Sequence, residues 1–279
     1  MADVVNQNLP LSNIFGCPGL ELRNFAVDQM HSGELGPLLD ALGSLLWVEV
    51  TTKMWHRTKN TGLRAINSEL ELYYSANKAY SPLRLSMTQL KSKTTPYPIL
   101  KAKAAQAKHL CKFGLVLAHK QAGALGRRGF EWRPSHRLHN RGHEYRTLIV
   151  QLFAAIVTYY DACDADEFVA DRCIQPMYVF LQTMVQLHDL WCSGLNPDLA
   201  KYQPFHNRPK MHMLQHLVED QLQLFGAPRN SSCYLDENFI GVLKLICGRS
   251  KHPKTIERVA MEKIRLGAGV AARQLECDS

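Results

Sequence analysis

The sequence predicts a mainly α-helical protein with a small α/β part near its front, and three observations carry that prediction. Apolar residues recur at helical spacing in segment after segment from residue 33 to residue 267. Only one stretch, 18–28, reads as a strand. Prolines and glycines fall where helices start and stop, as Pro37, Pro209 and Gly226 do.

"PGLELRNFAVD" (18–28) reads as a short apolar strand that finishes on Asp28. "GELGPLLDALGSLLWVEV" (33–50) follows as a helix with Pro37 near its start. Residues 52–82 are polar and partly helical, and Pro82, Pro96 and Pro98 then break the chain into turns before a lysine-bearing helix at 99–120. The segment 121–146 reads as a loop with six arginines, three histidines and two acids. Two strong helices come next. In 147–160 the stripe is Leu148, Ile149, Leu152, Phe153, Ile156, Val157 and Tyr160; in 166–191 it is Met177, Leu181, Met184 and Val185, with His188 expected in the core. The pair should pack through these stripes. Helices at 208–226, 236–248 and 253–267 complete the chain. One strand is too little for a whole α/β domain, so its front part is expected to be missing.

Composition narrows the function. With 46% hydrophobic residues among 279, a disordered chain is excluded. A net charge of +8 favours a polyanionic partner, of which nucleic acid is the commonest. The eight cysteines (17, 111, 163, 173, 192, 233, 247 and 277) form no C-x-x-C pair, which suits free thiols in a reducing compartment. The N-terminus lacks the basic and apolar regions of a signal peptide, and the longest apolar run, 147–160, is too short to span a bilayer. An intracellular protein with no membrane partner is expected.

Four groups of residues invite a chemical reading, each beside a structural one. Asp28, at the carboxyl end of a strand, sits where open α/β sheets hold ligands, or else it caps the helix behind it. Glu237 shares a helix face with Gly241 and Lys244, leaving room for a substrate phosphate, or else lies on a solvated face beside a helix N-terminus. His212 and His216, four apart with Glu219 on the same side, have metal-ligand spacing, but Met213 stands where a zinc protease needs glutamate; a packed or hydrogen-bonded pair is the other account. Arg127, Arg128, Arg133 and Arg137, interleaved with Phe130 and Trp132, suit phosphates and exposed bases, or form a solvated basic loop. Lys251 and Lys254 join Lys244 as further candidate DNA contacts.

Two of these segments resemble one family. "NFAVDQMHSGELGPLLDALGSLL" resembles the LD-x-MH segment of CACTA (En/Spm) transposases, which carries their second catalytic aspartate. "KMHMLQHLVEDQLQLFGAPRNSSCYLDENFIGVLK" resembles a later segment, in which a VHLLxHLVEE helix leads through GP to an acid and an apolar helix. The resemblance spans about 20–265, and its two ends are specific. It implies a partial ribonuclease-H-like core interrupted by an all-α insertion: 1–49 holding the second acid, 50–205 the insertion, and 206–279 the third acid. In such enzymes three carboxylates hold two Mg²⁺ ions that cut and join DNA strands.

Carried over, Asp28 matches the second acid and Glu237 the third, both as catalytic and metal-binding residues. Met30–His31 matches the MH pair, and Met211–His212 the hydrophobic–His pair ahead of the third acid. Asp236 departs from the family's usual aromatic or apolar residue. The first acid has no match, since the only acid before Glu21 is Asp3 in a polar stretch. Asp28 and Glu237 should face each other within roughly 10 Å. The resemblance therefore implies a transposase-derived, nuclear, DNA-binding protein, open to self-association, whose Mg²⁺ chemistry is doubtful without the first of its three carboxylates. The alternative is a domesticated, non-catalytic helical module for protein interaction. A histidine-ligated metal hydrolase would rest on His212 and His216 alone.

Overall fold

A computed structural model of the chain describes residues 26–51, 58–77, 82–91, 96–127, 139–193, 202–234 and 240. The chain divides into two compact units, Met1–Ser231 and Ser232–Ser279. In the second, only 232–234 and 240 are described, so the helices expected at 236–248 and 253–267 lie essentially outside the described residues.

The first unit is helical, with no strand among the described residues. A π-helical turn, Met30–Glu34, leads into α1 (Pro37–Thr51). Then come α2 (Lys59–Ala76), the single turn α3 (Met87–Leu90), α4 (Ala104–Arg127), α5 (His139–Cys163) and α6 (Asp171–Cys192). After a turn region, α7 (Lys210–His216) passes through a π-helical segment, Leu217–Gln221, into α8 (Leu222–Phe225). No helix of the described residues is long and apolar enough to cross a membrane. Of the strand expected at 18–28, residues 18–25 lie outside the described ones, and 26–28 are irregular. The amide of Val27 donates to Gln221 Oε1 at 2.5 Å, so a side chain takes the place of a strand partner.

Helix α1 is the axis of the unit. Every residue from Pro37 to Val50 is buried, as expected of a helix that is apolar nearly all round. Two of its polar side chains bond to other elements. Ser44 Oγ accepts from the Phe205 amide at 2.7 Å, and Glu49 Oε2 accepts from Gln121 Nε2 at 2.8 Å. Tyr145 Oη in turn donates to Gln121 Oε1 at 3.1 Å. At Gly43 a Cβ would come within 2.4 Å of the Leu100 amide nitrogen, and that stretch of chain is tied to α1 by Leu100 N–H to Leu39 O at 3.0 Å.

The loop expected at 121–146 is corrected at both ends: 121–127 continue α4 and 139–146 open α5. The reason is the network just described, because Gln121 and Tyr145 are buried and linked to Glu49 of α1, which fixes helix on both sides. Only 128–138 separate the two helices, and these lie outside the described residues.

Helices α5 and α6 pack as the expected pair. Leu148, Ile149, Leu152, Phe153, Ile156 and Tyr160 are buried, and Gly114 of α4 meets Phe153 so closely that a Cβ there would stand 2.5 Å from its ring. The α6 stripe is corrected: Cys173, Met177, Phe180, Met184 and Leu187 are buried, whereas Leu181 is half-buried and Val185 is 42% exposed. The inward face follows the i, i+4, i+7 line from Cys173, one position away from Leu181 and Val185. One hydrophobic core runs through the unit, from Leu38 through Phe153 and Met184 to Leu214 and Leu222. The segments before 50 and after 206 therefore share their core with the middle.

Candidate functional site

Asp28 stands at the mouth of the π-helical turn, and its carboxylate organises that turn. Oδ1 accepts from the Met30 amide and Oδ2 from the His31 amide, both at 3.1 Å, while the His31 ring closes on Oδ2 through Nδ1. The Ser32 amide and hydroxyl donate to the Asp28 carbonyl at 3.0 and 2.7 Å. A short acceptor side chain at the start of a helix satisfies amides that have no partner one turn back. The Asp28 side chain is 14% exposed, against 47% for His31.

The segment 208–222 packs directly on this turn, although nearly 180 residues separate Lys210 from His31. Lys210 Nζ donates to the carbonyls of His31 at 2.8 Å and Leu35 at 3.1 Å, where a cation offsets the negative end of the turn. Arg208 reaches Gly36 O at 3.1 Å and, through Nε, Asp40 Oδ2 at 2.6 Å. Leu214 lies against Gly33, 3.5 Å from where a Cβ would stand. The Val27–Gln221 bond closes the far end.

Two buried acids flank the contact. Burial pushes the Glu34 carboxyl up to about 7, with Lys108 pulling the other way and Asp28 and Asp164 adding to the rise. Asp40 is likewise pushed up to about 7 by burial, against the pull of Arg208. Its Oδ1 is buried with no hydrogen-bond partner among the described residues, which costs the charged form further. Neither acid stands out in the sequence. The one available signal is that both sit in or beside a helix with no polar face, so that an acid there must be buried.

Of the predicted site, the described residues contain Asp28 alone with its side chain. Glu237, Asp236, Lys244, Lys251, Lys254, Arg128, Arg133, Arg137, Phe130 and Trp132 lie outside them, and Arg127 is placed only as the last residue of α4. His212 and His216 form a hydrogen-bonded pair, Nε2 to Nε2 at 3.0 Å, and His216 Nδ1 meets Asp220 Oδ2 at 2.8 Å. His188 is corrected: it is half-buried, not a core residue. It lies edge-on to His206, with centroids 5.7 Å apart, and its Nε2 is 3.5 Å from Cys192 Sγ. Position 188 is one step past the buried Leu187, which turns the ring toward the 202–208 segment.

The described residues do not make a Mg²⁺ site by themselves. Mg²⁺ asks for several oxygen ligands in octahedral array. Asp28 is committed to the amides of the turn and to His31, and Glu34 sits where burial favours its neutral form. What the arrangement does chemically is to lock two distant segments together through charge placed on backbone carbonyls. Comparison of the chain with protein-family models, curated proteins and solved structures finds no match.

Proposed function

We propose that this chain is a transposase-derived DNA-binding protein, the remnant of an enzyme that cuts and joins DNA strands with Mg²⁺, and that it does not cut DNA alone. The observation that carries the reading is the contact between 27–36 and 208–222. The contact joins the two segments, 24–46 and 210–244, whose residues resemble the CACTA transposases, and an enzyme built from them must bring them together to assemble its carboxylates. The reading includes a ribonuclease-H-like ancestry for the front of the chain, a nuclear location and DNA as partner. The role of Asp28 as a cap supports inactivity, since a carboxylate engaged with backbone amides and His31 is poorly disposed to hold a hard cation.

The test is paired. The full chain should retain duplex DNA at low salt, and should show no Mg²⁺- or Mn²⁺-dependent nicking above a D28A/E237A control. Nicking that disappears in that double variant would show an active enzyme. Absence of DNA retention at low salt would favour the second reading, a non-catalytic helical module for protein interaction. That alternative draws on the architecture itself, which is helical with no strand among the described residues.

A further inference from the structure

We infer that His212 and His216 form a surface site for a borderline divalent transition-metal ion, of the zinc, nickel and copper class, with Asp220 as the carboxylate that orients His216. The two residues are four apart on α7, so both rings leave the same side of the helix. Their Nε2 atoms stand 3.0 Å apart. Two nitrogens each about 2.0–2.1 Å from one ion are separated by roughly 2.9–3.4 Å at bond angles of about 90–110°. The spacing thus suits two ligands of a single ion without movement of the backbone.

The tautomers agree with that use. Asp220 Oδ2 accepts from His216 Nδ1 at 2.8 Å, which fixes the proton on Nδ1 and leaves the lone pair of Nε2 directed at His212. Without metal, His212 donates its Nε2 proton to that lone pair. With metal, the proton of His212 moves to Nδ1 and both Nε2 lone pairs face the ion, so the exchange costs one histidine hydrogen bond and leaves both rings neutral. A carboxylate behind a ligating imidazole is the usual arrangement around protein-bound zinc. Glu219 adds negative charge nearby: its carboxyl is held below the usual range by hydrogen bonds from Tyr178 and Gln215.

Position completes the case. His216 is the last residue before the π-helical segment Leu217–Gln221, a local widening of the helix that is frequent at functional sites. His216 is 35% and Asp220 61% exposed, so water can fill the remaining coordination positions. His212 also lines a cleft of about 500 Å³ together with Tyr178, Gln182, Asn207, Arg208 and Gln215, which leaves room beside the ion for a further ligand.

Ni²⁺ is the appropriate probe, because it favours imidazole over the thiols this chain carries. Calorimetric titration of the full chain without a histidine tag should show one site. His212→Ala and His216→Ala should each weaken it at least about tenfold, and the double variant little further, since two ligands of one ion act as a unit. Asp220→Asn should weaken binding about tenfold, the usual effect of removing an orienting carboxylate. The substituted side chains are at the surface, and circular dichroism checks that each variant is folded. Absence of Ni²⁺ binding, equal affinity in the wild type and the double variant, or binding abolished only by Cys192→Ser would overturn the assignment.

Discussion

The contact between 27–40 and 208–222 and the contact between α5 and α6 both hold the first unit together, yet the polar share of the two differs. Between α5 and α6 the packing is of apolar side chains, among them Leu152, Phe153 and Ile156 on one helix and Met177, Phe180 and Met184 on the other, all essentially inaccessible. At the other contact, ammonium and guanidinium groups bond to backbone carbonyls, and two acids are buried beside them. The first kind of contact depends on shape and volume; the second depends on charge and therefore on pH. That difference separates a scaffold from a junction, and it is the junction that joins the two segments on which the functional reading rests.

Substitutions should divide along the same line. Phe153→Ala in α5 removes a buried ring that also touches Gly114, and should cost about 3–5 kcal/mol with no dependence on pH, read by urea unfolding at pH 5 and pH 8. Arg208→Ala at the junction strands the Asp40 carboxylate. The cost should be about 3 kcal/mol, the low end for a buried pair because 21% of the Arg208 side chain is in solvent. Its penalty should shrink as pH falls below about 7, where Asp40 takes up a proton.

A pH slope comes next. Glu34 titrates near 7 in the folded chain and near 4.5 ordinarily, so between these values the folded state holds more proton than the unfolded one. Stability should therefore fall as pH rises from about 4.5 to about 7, by at most on the order of 3 kcal/mol from this group. Glu34→Gln should flatten that part of the profile. An unchanged profile would show that Glu34 is not the source of the slope. Val185→Ala should matter least: the side chain is 42% exposed on the outer side of α6, and stability should change by no more than about 0.5 kcal/mol.

The scaffold is far more legible in the sequence than the junction. Helical periodicity in 147–160 marks an apolar face that must be covered, and it is covered. On α6 the apolar pattern misleads by one position, because Val185 and Leu181 extend it without belonging to the buried line. The end of α4 looks like loop because Gly123 and Gly126 interrupt it, and the start of α5 because arginine and histidine dominate there. Gln121, which holds one of those ends, acts through Glu49, 72 positions away and beyond the reach of any local pattern. The π-helical turn is illegible for a related reason: a 3.6-residue period has no place for it, and it depends on Asp28 holding two amides. Asp28 itself does stand out in the sequence, with capping as one of its two readings, and capping is the role its hydrogen bonds display. The polar bonds from 208–222 to this region come from Lys210, Arg208 and Gln221, whose residue types carry no signature of a partner so far away along the chain.

If the chain is a DNA-binding remnant, its affinity for duplex DNA must depend steeply on salt. Each phosphate neutralised by lysine or arginine releases counterions, so log affinity should fall linearly with log salt. Fluorescence anisotropy with a labelled duplex should give weak sequence preference and a steep slope. Replacing Arg127, Arg128, Arg133 and Arg137 together with alanine should lower both affinity and slope, the slope by about 0.9 for each phosphate no longer neutralised. No binding at low salt, or a slope untouched by the four substitutions, would contradict this reading of the chain.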